Sequence, residues 1–284
     1  MATLKQIRQR IRAAKNIQQI TRAMKLVSAA RLKRATDRVL EARPYADKMR
    51  EFMQSLASGG NLPSHPLMEK REVKRILVIL ITSDRGLAGA YNTSLIRRAA
   101  DFIKSQTVPV TMITVGKKGT QFFSKRGYSI EESVTVPSSG ARLSDAVQVT
   151  RKARQMFENG EVDAVYVIYA RFFSAIRQTP QVVQLAPIEA PVSEGGVSGD
   201  YRFEPDSASL LGALLPRYFQ TLVWQSMLES TASEFGARMT AMTSATDNAG
   251  KMINSLTLKA NRERQAGITK EILEVVGGAE ALKS

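Results

Sequence analysis

The amino-acid sequence predicts an α/β domain combined with a long antiparallel coiled coil, made by helices at the two ends of the chain. Three observations indicate this fold class. In the middle of the chain, β-branched runs alternate with helical stretches, a pattern typical of a mainly parallel sheet with helices on its faces. At both ends, apolar residues recur at intervals of three and four over long distances. Aromatic residues make up only 6% of the chain, which favours long helices over a β-sandwich.

The first predicted segment, residues 1–58, forms one long helix. We expect a bend or a break at Pro44, because the residue before a proline avoids helical dihedral angles. Glycines at positions 59 and 60 and a proline-containing loop at 63–66 would end the segment. Its apolar stripe consists of Leu4, Ile7, Ile11, Ala14, Ile17, Ile20, Met24 and Val27.

The second segment, residues 59–205, is predicted to hold the sheet. Expected strands cover residues 73–82, 108–115, 162–169 and 176–185, followed by a glycine- and serine-rich loop and a short strand at 201–203. Expected helices cover residues 93–104, 119–125 and 143–157. The regular alternation of the two element types is the reason to expect mainly parallel strands.

The third segment, residues 206–284, returns to helical spacing, and Pro216 either begins or kinks its main helix. A long helix with an apolar stripe gains most of its stability by packing that stripe, so the two terminal helices should pack together, antiparallel. The C-terminal helix should outrun its partner, because roughly 75 residues span ~110 Å and roughly 55 span ~80 Å. Its apolar face consists of Leu211, Leu214, Leu215, Tyr218, Phe219, Leu222, Phe235, Met239, Met242, Met252, Ile253 and Leu256.

Composition excludes several classes of protein. The chain has no cysteine, which excludes disulfides, thiol catalysis and cysteine-based zinc sites. Its single histidine, His65, is expected in a surface loop rather than at a metal. No apolar run approaches the length of a membrane span. The net charge of +15 is concentrated in residues 1–58, which contain 14 Lys and Arg residues and only 4 Asp and Glu residues.

The turn at residues 82–92, TSDRGLAGAYN, lies between an expected strand and an expected helix, where α/β proteins often hold phosphate groups. Gly86 and Gly89 give the spacing G-x-x-G, without the dinucleotide fingerprint or the phosphate-binding loop. The residues favour a plain strand-to-helix turn. A nucleotide-cofactor-binding α/β protein with helical arms stays open as the alternative. Nucleic-acid binding by the basic helix is a weaker alternative. In a DNA-binding basic-zipper helix the basic region precedes the apolar stripe, whereas here the stripe runs through the basic residues themselves.

Five stretches in the same order as in a known family extend over essentially the whole chain. They are IRQRIR at 7–12, IQQITRAMKLV at 17–27 with RPYA at 43–46, the turn at 82–92, the residues Glu234, RMTAM at 238–242 and ATDNA at 245–249, and a terminal pattern that begins at Ile268. On these stretches the chain resembles the gamma subunit of F-type ATP synthase, of bacterial type. The resemblance implies a Rossmann-like α/β domain that binds no dinucleotide.

The resemblance also implies a central rotor shaft without catalytic residues or cofactors of its own. The implied partners are the hexameric ring of α and β subunits, the epsilon subunit and the membrane c-ring, with no nucleic acid. The implied location is peripheral, at the cytoplasmic face of the bacterial membrane. The plastid form of the family switches activity through a dithiol, and a chain without cysteine cannot do so.

The resemblance assigns two groups of site residues. Ordinary structural roles are open beside these assignments: a solvated charged face for the basic run, a coiled-coil core position for Met24, and an i,i+4 ion pair between Glu234 and Arg238. The implied β-subunit contacts are Arg22, Met24, Lys25, Arg31, Lys33, Arg34, Arg238, Gln265, Thr269 and Glu271. The implied scaffold residues at the rotor foot are Arg43, Pro44, Tyr45, Gly86, Gly89 and Asn92.

Overall fold

The computed structural model describes residues 3–58, 65–189 and 207–281. These residues form two compact units: Met1–Val27 with Met239–Ser284, and Ser28–Arg238. Each long terminal helix contributes to both units. The sequence-based boundaries after residues 58 and 205 stay a prediction. The glycine pair at 59 and 60, the start of the proline loop, the glycine- and serine-rich loop and the strand expected at 201–203 lie outside the described residues.

Helix α1 extends over Leu4–Ser58 and contains Pro44. The predicted break at this proline is therefore wrong. A proline inside a helix removes one backbone hydrogen bond and costs roughly 3 kcal/mol. Buried side chains follow directly, at Ala46, Met49 and Met53, of which Met53 has no exposed surface. Packing of this last part of the helix offsets the penalty of the proline.

Burial along α1 repeats every seven residues, a period typical of coiled coils. The predicted apolar stripe is correct at Ile7 and Ala14 and wrong further on, since Ile17, Ile20 and Val27 are 55%, 59% and 50% exposed. The prediction followed the largest apolar side chains, whereas the buried positions from 14 to 35 hold small ones that let a neighbouring helix approach closely. The buried residues in the described part of α1 are Ile7, Ala14, Thr21, Ser28, Ala35, Val39, Ala46, Met49 and Met53.

Helix α5 extends over Ser207–Ala281 and passes through Pro216, so the interpretation that this proline begins the helix is wrong. In the unit that holds both chain ends, the Thr246 hydroxyl donates to the Thr21 hydroxyl over 2.8 Å. A Cβ atom on Gly250 would lie 3.0 Å from Nε2 of Gln18. Residue numbers rise along α5 as they fall along α1, which confirms the predicted antiparallel pairing.

The last part of α5 has no buried residue between 264 and 278. By the register at Thr21 and Thr246, the first residues of α1 pair near position 263. The structure thus agrees with the expectation that the C-terminal helix outruns its partner. The prediction that Met252 lies on the buried face is wrong, since this residue is 57% exposed.

Within the described ranges the sheet has five strands, in the order β3-β2-β1-β4-β5. All neighbouring strands are parallel except β4 and β5, which confirms the predicted mainly parallel sheet. The strands are β1 (Ile76–Ile81), β2 (Val110–Val115), β3 (Ile130–Val134), β4 (Ala164–Phe172) and β5 (Gln178–Ala186). The connecting helices are α2 (Tyr91–Ser105), α3 (Lys117–Ser124) and α4 (Leu143–Glu158), and a short 3-10 helix covers Pro66–Met68.

The strand order places a crevice between β1 and β4, because the chain leaves β1 toward β2 and returns on the other side as β4. In open α/β sheets, ligands bind at such a point, beyond the carboxyl ends of the strands. The turn that contains Gly86 and Gly89 follows β1 and lies at this crevice. The predicted position of the turn, between a strand and a helix, is therefore confirmed. Its role depends on which groups lie in the crevice beside it.

Candidate functional site

The turn after β1 is held by hydrogen bonds within the chain. The backbone N–H of Ser83 donates to Oδ1 of Asn92 over 3.0 Å. The N–H of Lys117 donates to Oδ1 of Asp84, and the N–H of Gly119 to the Thr82 hydroxyl, both over 2.9 Å. These contacts join the turn to the starts of α2 and α3. Asn92, one of the predicted scaffold residues, thus has a structural role in this turn.

Among the glycines in the described residues, Gly116 has the least room for a side chain, and it was not predicted from the sequence as a site residue. Gly116 has φ +91°, and a Cβ atom there would lie 2.2 Å from the carbonyl oxygen of Thr82. Among the motif glycines, Gly89 also has a positive φ, +55°, whereas Gly86 has open space around it. Close approach of two backbones is therefore the reason for glycine at 116, between the ends of β1 and β2.

Helix α5 fills the crevice between β1 and β4. The Tyr91 hydroxyl, at the start of α2, donates to the carbonyl oxygen of Ser230 over 3.1 Å and lies 2.8 Å from the Ser230 hydroxyl. The Ser233 hydroxyl donates to the carbonyl oxygen of Ala170 in β4 over 3.0 Å. All these groups are buried, and burial raises the pKa of Tyr91. The place where α/β proteins hold a nucleotide is used here to bind a helix of the same chain.

Sequence reasoning missed this helix-binding role. Residues 229–233 of α5, Glu-Ser-Thr-Ala-Ser, are all buried although four of them are polar. A run of small polar residues inside a long helix is the signal that could have indicated it, because small side chains allow a helix to lie close to a backbone. Gly140 supports the point, since a Cβ atom there would lie 2.8 Å from Thr231.

An ion pair lies next to this crevice. Nη2 of Arg238 lies 2.7 Å from Oε1 of Glu234, and the two side chains are only 10% and 16% exposed. The same nitrogen donates to the carbonyl oxygen of Gly86 over 3.3 Å. Burial raises the pKa of Glu234, and the Arg238 charge offsets part of this rise. The predicted i,i+4 pair is confirmed.

Arg31 and Arg238, two of the predicted contact residues, meet at one aromatic ring. Each guanidinium carbon lies 5.9 Å from the centroid of the Phe235 ring, within the range of a cation–π contact. Phe235 packs with Ala35 and Val39 of α1 in a small apolar cluster. Arg238 is therefore mostly enclosed by its own chain, and its contact with a β subunit stays a prediction.

The structure does not gather the remaining predicted contact residues into one site. In the unit of the chain ends, Met24 and Lys25 are half-buried, and the Thr269 hydroxyl donates to the carbonyl oxygen of Gln265 over 3.0 Å. The predicted scaffold residues that lie on α1 are also exposed. The exposed members of both groups are Arg22, Lys33, Arg34, Gln265, Thr269 and Glu271, together with Arg43, Pro44 and Tyr45.

Large apolar side chains are exposed along both long helices. On α1 these include Ile17, Ile20 and Leu26, and Leu26 is 64% exposed. On the last part of α5 they are Ile268, Ile272, Leu273, Val275 and Val276. Extended apolar surface of this kind marks a protein or membrane contact. No helix in the described ranges has both the length and the hydropathy to cross a membrane.

The side chains that could bind a metal ion are not clustered in the described residues. Within residues 3–58, 65–189 and 207–281, no three of His, Asp and Glu are grouped as they would be around a metal ion. His65 is used to begin the 3-10 helix, where its Nδ1 accepts the N–H of Leu67 over 3.1 Å. Burial lowers the pKa of His65. A nitrogen that accepts this hydrogen bond must be unprotonated, which fits the lowered pKa.

Glu229 is a buried carboxylic acid on the α5 face that fills the crevice. Its Oε2 has no hydrogen-bond partner, and the residue is 6% exposed. Burial raises the pKa of Glu229; hydrogen bonds from the Phe172 backbone and Gln225 and the charges of Arg171 and Arg43 lower it in part. The folded chain therefore holds the Glu229 proton more tightly than the unfolded chain does.

We expect Glu229→Gln to become stabilising, relative to the wild type, as the pH rises. A carboxyl with a raised folded pKa contributes stability that is complete below the unfolded pKa of about 4.5 and is lost as pH rises through the folded pKa. Urea unfolding of both chains between pH 4 and 8 measures the difference. Near pH 4 the two should be nearly equal, and above 4.5 the variant should gain. A difference that does not change with pH would contradict the raised pKa. The exposed Glu274→Gln serves as the control.

Comparison with known proteins gives consistent similarities over the full length. A family model described as ATP synthase matches residues 3–282. The ATP synthase gamma chain of Brevibacillus brevis is 46% identical, with 98% of each chain covered. That of Pelotomaculum thermopropionicum is 43% identical over 100% of both chains. A chain in the Euglena gracilis mitochondrial ATP synthase structure, OSCP/F1/c-ring in rotational state 3, is similar in fold, with a TM-score of 0.71, 20% identity and 98% and 94% coverage.

Proposed function

Because the chain belongs to the ATP synthase gamma chain family, we propose that it is the central rotor shaft of an F-type ATP synthase. Its rotation couples ion flow through the membrane to ATP synthesis and hydrolysis at the β subunits. The observation that carries this role is the exposed apolar surface along the paired helices and the last part of α5. Such a surface needs partner subunits that surround it.

The α and β subunits of the catalytic ring are the partners proposed for the paired helices. Ile17, Ile20 and Val27 lie outside the buried seam of α1 and offer apolar contact. The exposed cations Arg22, Lys33 and Arg34 suit acidic segments of the β subunits. Exposed ion pairs contribute only ~0–1 kcal/mol each, so contacts of this kind can form and break during rotation.

The chain itself is proposed to be non-catalytic and to bind no nucleotide. Support comes from the crevice between β1 and β4, since side chains of α5 occupy the position that a nucleotide would take. The same observation disfavours the alternative of a nucleotide-cofactor-binding protein with helical arms. The α/β unit is proposed to contact the epsilon subunit and the c-ring, and the chain is proposed to lie at the cytoplasmic face of a bacterial membrane.

Reconstitution from purified subunits tests the proposal. We expect no ATP hydrolysis by the chain alone, and sustained, cooperative hydrolysis when it is combined with α and β subunits of a bacterial F-type enzyme. Addition of the membrane sector in vesicles should then give ATP synthesis driven by an ion gradient. Hydrolysis by the chain alone that survives repurification would contradict the proposal, as would failure to co-purify with the α and β subunits.

The exposed end of α5 gives a specific prediction for coupling. Simultaneous Gln265→Ala, Thr269→Ala and Glu271→Gln should reduce ATP synthesis about tenfold or more with normal subunit content. A hydrogen bond to a charged group contributes ~1.5–3 kcal/mol, and ~1.4 kcal/mol changes a rate about tenfold. ATP synthesis in reconstituted vesicles measures the effect.

The matched control for this prediction lies on the same exposed segment. Lys270 and Glu274 form an ion pair of 3.5 Å, with side chains 78% and 65% exposed, and neither is a proposed β contact. Lys270→Gln with Glu274→Gln should leave synthesis within about twofold of the wild type, because exposed pairs contribute little. Equal losses in both variants would show that the three proposed contacts have no special role.

A further inference from the structure

Two adjoining cavities lie within the unit Ser28–Arg238, between α1, α5 and the start of α4. Their volumes are about 500 Å³ and 420 Å³. Ala42, Leu143 and Trp224 line both, so the two form one trough. Along α5 the trough runs from Arg217 to Leu228, about three helical turns or ~16 Å. Each cavity is of the size that holds a small molecule in other proteins, ~300–1,000 Å³.

The walls of the trough are largely apolar and aromatic. Trp224 lines both cavities, and Tyr45 and Leu143, which are 54% and 51% exposed, also contribute to the walls. The flat faces of tryptophan and tyrosine suit an aromatic ring, which gains from stacked or edge-to-face contact. Side chains of this type that face an open cavity leave apolar surface for a ligand to cover.

The charges around the trough favour an anion. Among the described residues that line the larger cavity, Arg217 alone is charged, and it stands with neutral polar side chains such as Gln220 and Gln225. The smaller cavity is lined by Arg38, Glu41 and Arg142, and Arg142 pairs with Asp145 over 3.2 Å. The lining of the larger cavity is therefore net positive, whereas the charges of Arg38 and Glu41 balance in the smaller cavity once Asp145 offsets Arg142.

We propose that this trough binds a small aromatic anion, with the ring against Trp224 and the anionic group toward Arg217. An apolar extension of the ligand would pass Leu143 into the smaller cavity. None of the proposed β-subunit contacts lines the trough, and Tyr45 is the one proposed scaffold residue of the rotor foot among the described residues in its lining. The isolated full-length chain and the assembled complex can therefore both be tested.

The experiment uses 1-anilinonaphthalene-8-sulfonate as the aromatic anion. Trp224 is the only tryptophan in the chain, so its emission reports on this position alone. We expect saturable quenching of tryptophan emission together with sensitised emission of the bound probe. The neutral analogue N-phenyl-1-naphthylamine should bind at least tenfold more weakly. Equal binding of the two would overturn the assignment of an anion, and non-saturable quenching would overturn the site.

Two pairs of variants locate the binding. Leu143→Asp places a negative charge in the wall of both cavities, at the first residue of α4, where an acidic residue is favourable for the helix. Val147→Asp, on the same helix but not in the lining, is its control. Arg217→Gln removes the cation of the larger cavity, and Arg151→Gln on α4 removes a cation outside it. Circular dichroism confirms that each variant is folded.

We expect at least tenfold weaker probe binding for Leu143→Asp and Arg217→Gln, and a change of less than twofold for both controls. Equal effects in a variant and its control would overturn the proposal. The titration is then repeated with the chain assembled with α and β subunits. Retained binding supports a small-molecule site. Loss of binding in the complex would show that the trough is a subunit contact, and would overturn the proposal of a small ligand.

Discussion

Gly116→Ala is expected to destabilise the Ser28–Arg238 unit by roughly 3–5 kcal/mol. A side chain at φ +91° stores strain of about 1–3 kcal/mol, because L residues rarely adopt this conformation. The new Cβ would also lie 2.2 Å from the Thr82 oxygen and 2.6 Å from its carbonyl carbon. Both atoms belong to the backbone at the end of β1, so relief of the clash must move a central strand, and overpacking adds about 1–3 kcal/mol.

Urea unfolding followed by circular dichroism measures the loss. Gly127→Ala is the matched control, because Gly127 also has a positive φ, +75°, but no atom lies within 4 Å of its hypothetical Cβ. This variant should cost only ~1–2 kcal/mol, the penalty of the left-handed conformation alone. If the two variants lose the same stability, the close approach of Gly116 to Thr82 has no energetic weight.

Glu234→Gln is expected to destabilise the same unit by about 3–5 kcal/mol at neutral pH. The change leaves the Arg238 guanidinium buried without its counter-charge, and the loss of one partner of a buried ion pair typically costs this much. The Arg238 contact with the Gly86 carbonyl would also weaken, which loosens the turn after β1 from α5. Unfolding by urea, and proteolysis within the turn, report these two effects separately.

A double variant separates the charge from the packing. Glu234→Gln combined with Arg238→Met removes both charges and keeps an apolar side chain near Phe235, so much of the lost stability should return. Glu274→Gln breaks an exposed pair of the same i,i+4 spacing and should change stability by less than ~1 kcal/mol. A double variant as unstable as the single one would argue that the unpaired charge is not the cause.

The strands that hold the centre of the sheet could be predicted because they are largely apolar runs that contain many β-branched residues. The six residues of β1 are all buried, and such a run has few alternatives. Strand β3 was not predicted, since Ile130–Val134 contains two glutamates and a serine. An edge strand buries little, so its hydrophobic pattern is weak. The helix ends at α2 and α4 differed from prediction by only one or two residues.

The buried seam of the coiled coil was harder to predict than the coiled coil itself. Apolar spacing indicated a helix with a stripe, but Thr21 and Ser28 are buried while Ile17 and Ile20 are exposed. The size of an apolar side chain does not show whether it is buried between the two helices of the chain or exposed to a partner protein. A strict seven-residue period was the signal that would have distinguished them.

The role of the glycine turn could not be settled from the sequence. The G-x-x-G spacing lacks the dinucleotide fingerprint, yet the turn lies between a strand and a helix, where nucleotides often bind. The motif therefore neither predicted nor excluded a nucleotide site. The answer came from Ser230, which is 139 residues from Tyr91 along the chain. Contacts of such long range leave no periodic pattern near the turn, whereas the Glu234–Arg238 pair was predictable because its partners are four residues apart.

The filled crevice has a mechanical consequence. Where a helix rests on a sheet through smooth apolar surface alone, a twisting load can make it slide. Here a twist of α5 must break the Ser233–Ala170 hydrogen bond to β4 and the Tyr91–Ser230 hydrogen bond to α2, away from water, where the separated groups find no replacement. If the chain is the proposed rotor shaft, these buried hydrogen bonds would resist rotation of α5 relative to the sheet, so torque applied to the α/β unit would be transmitted to the long helix.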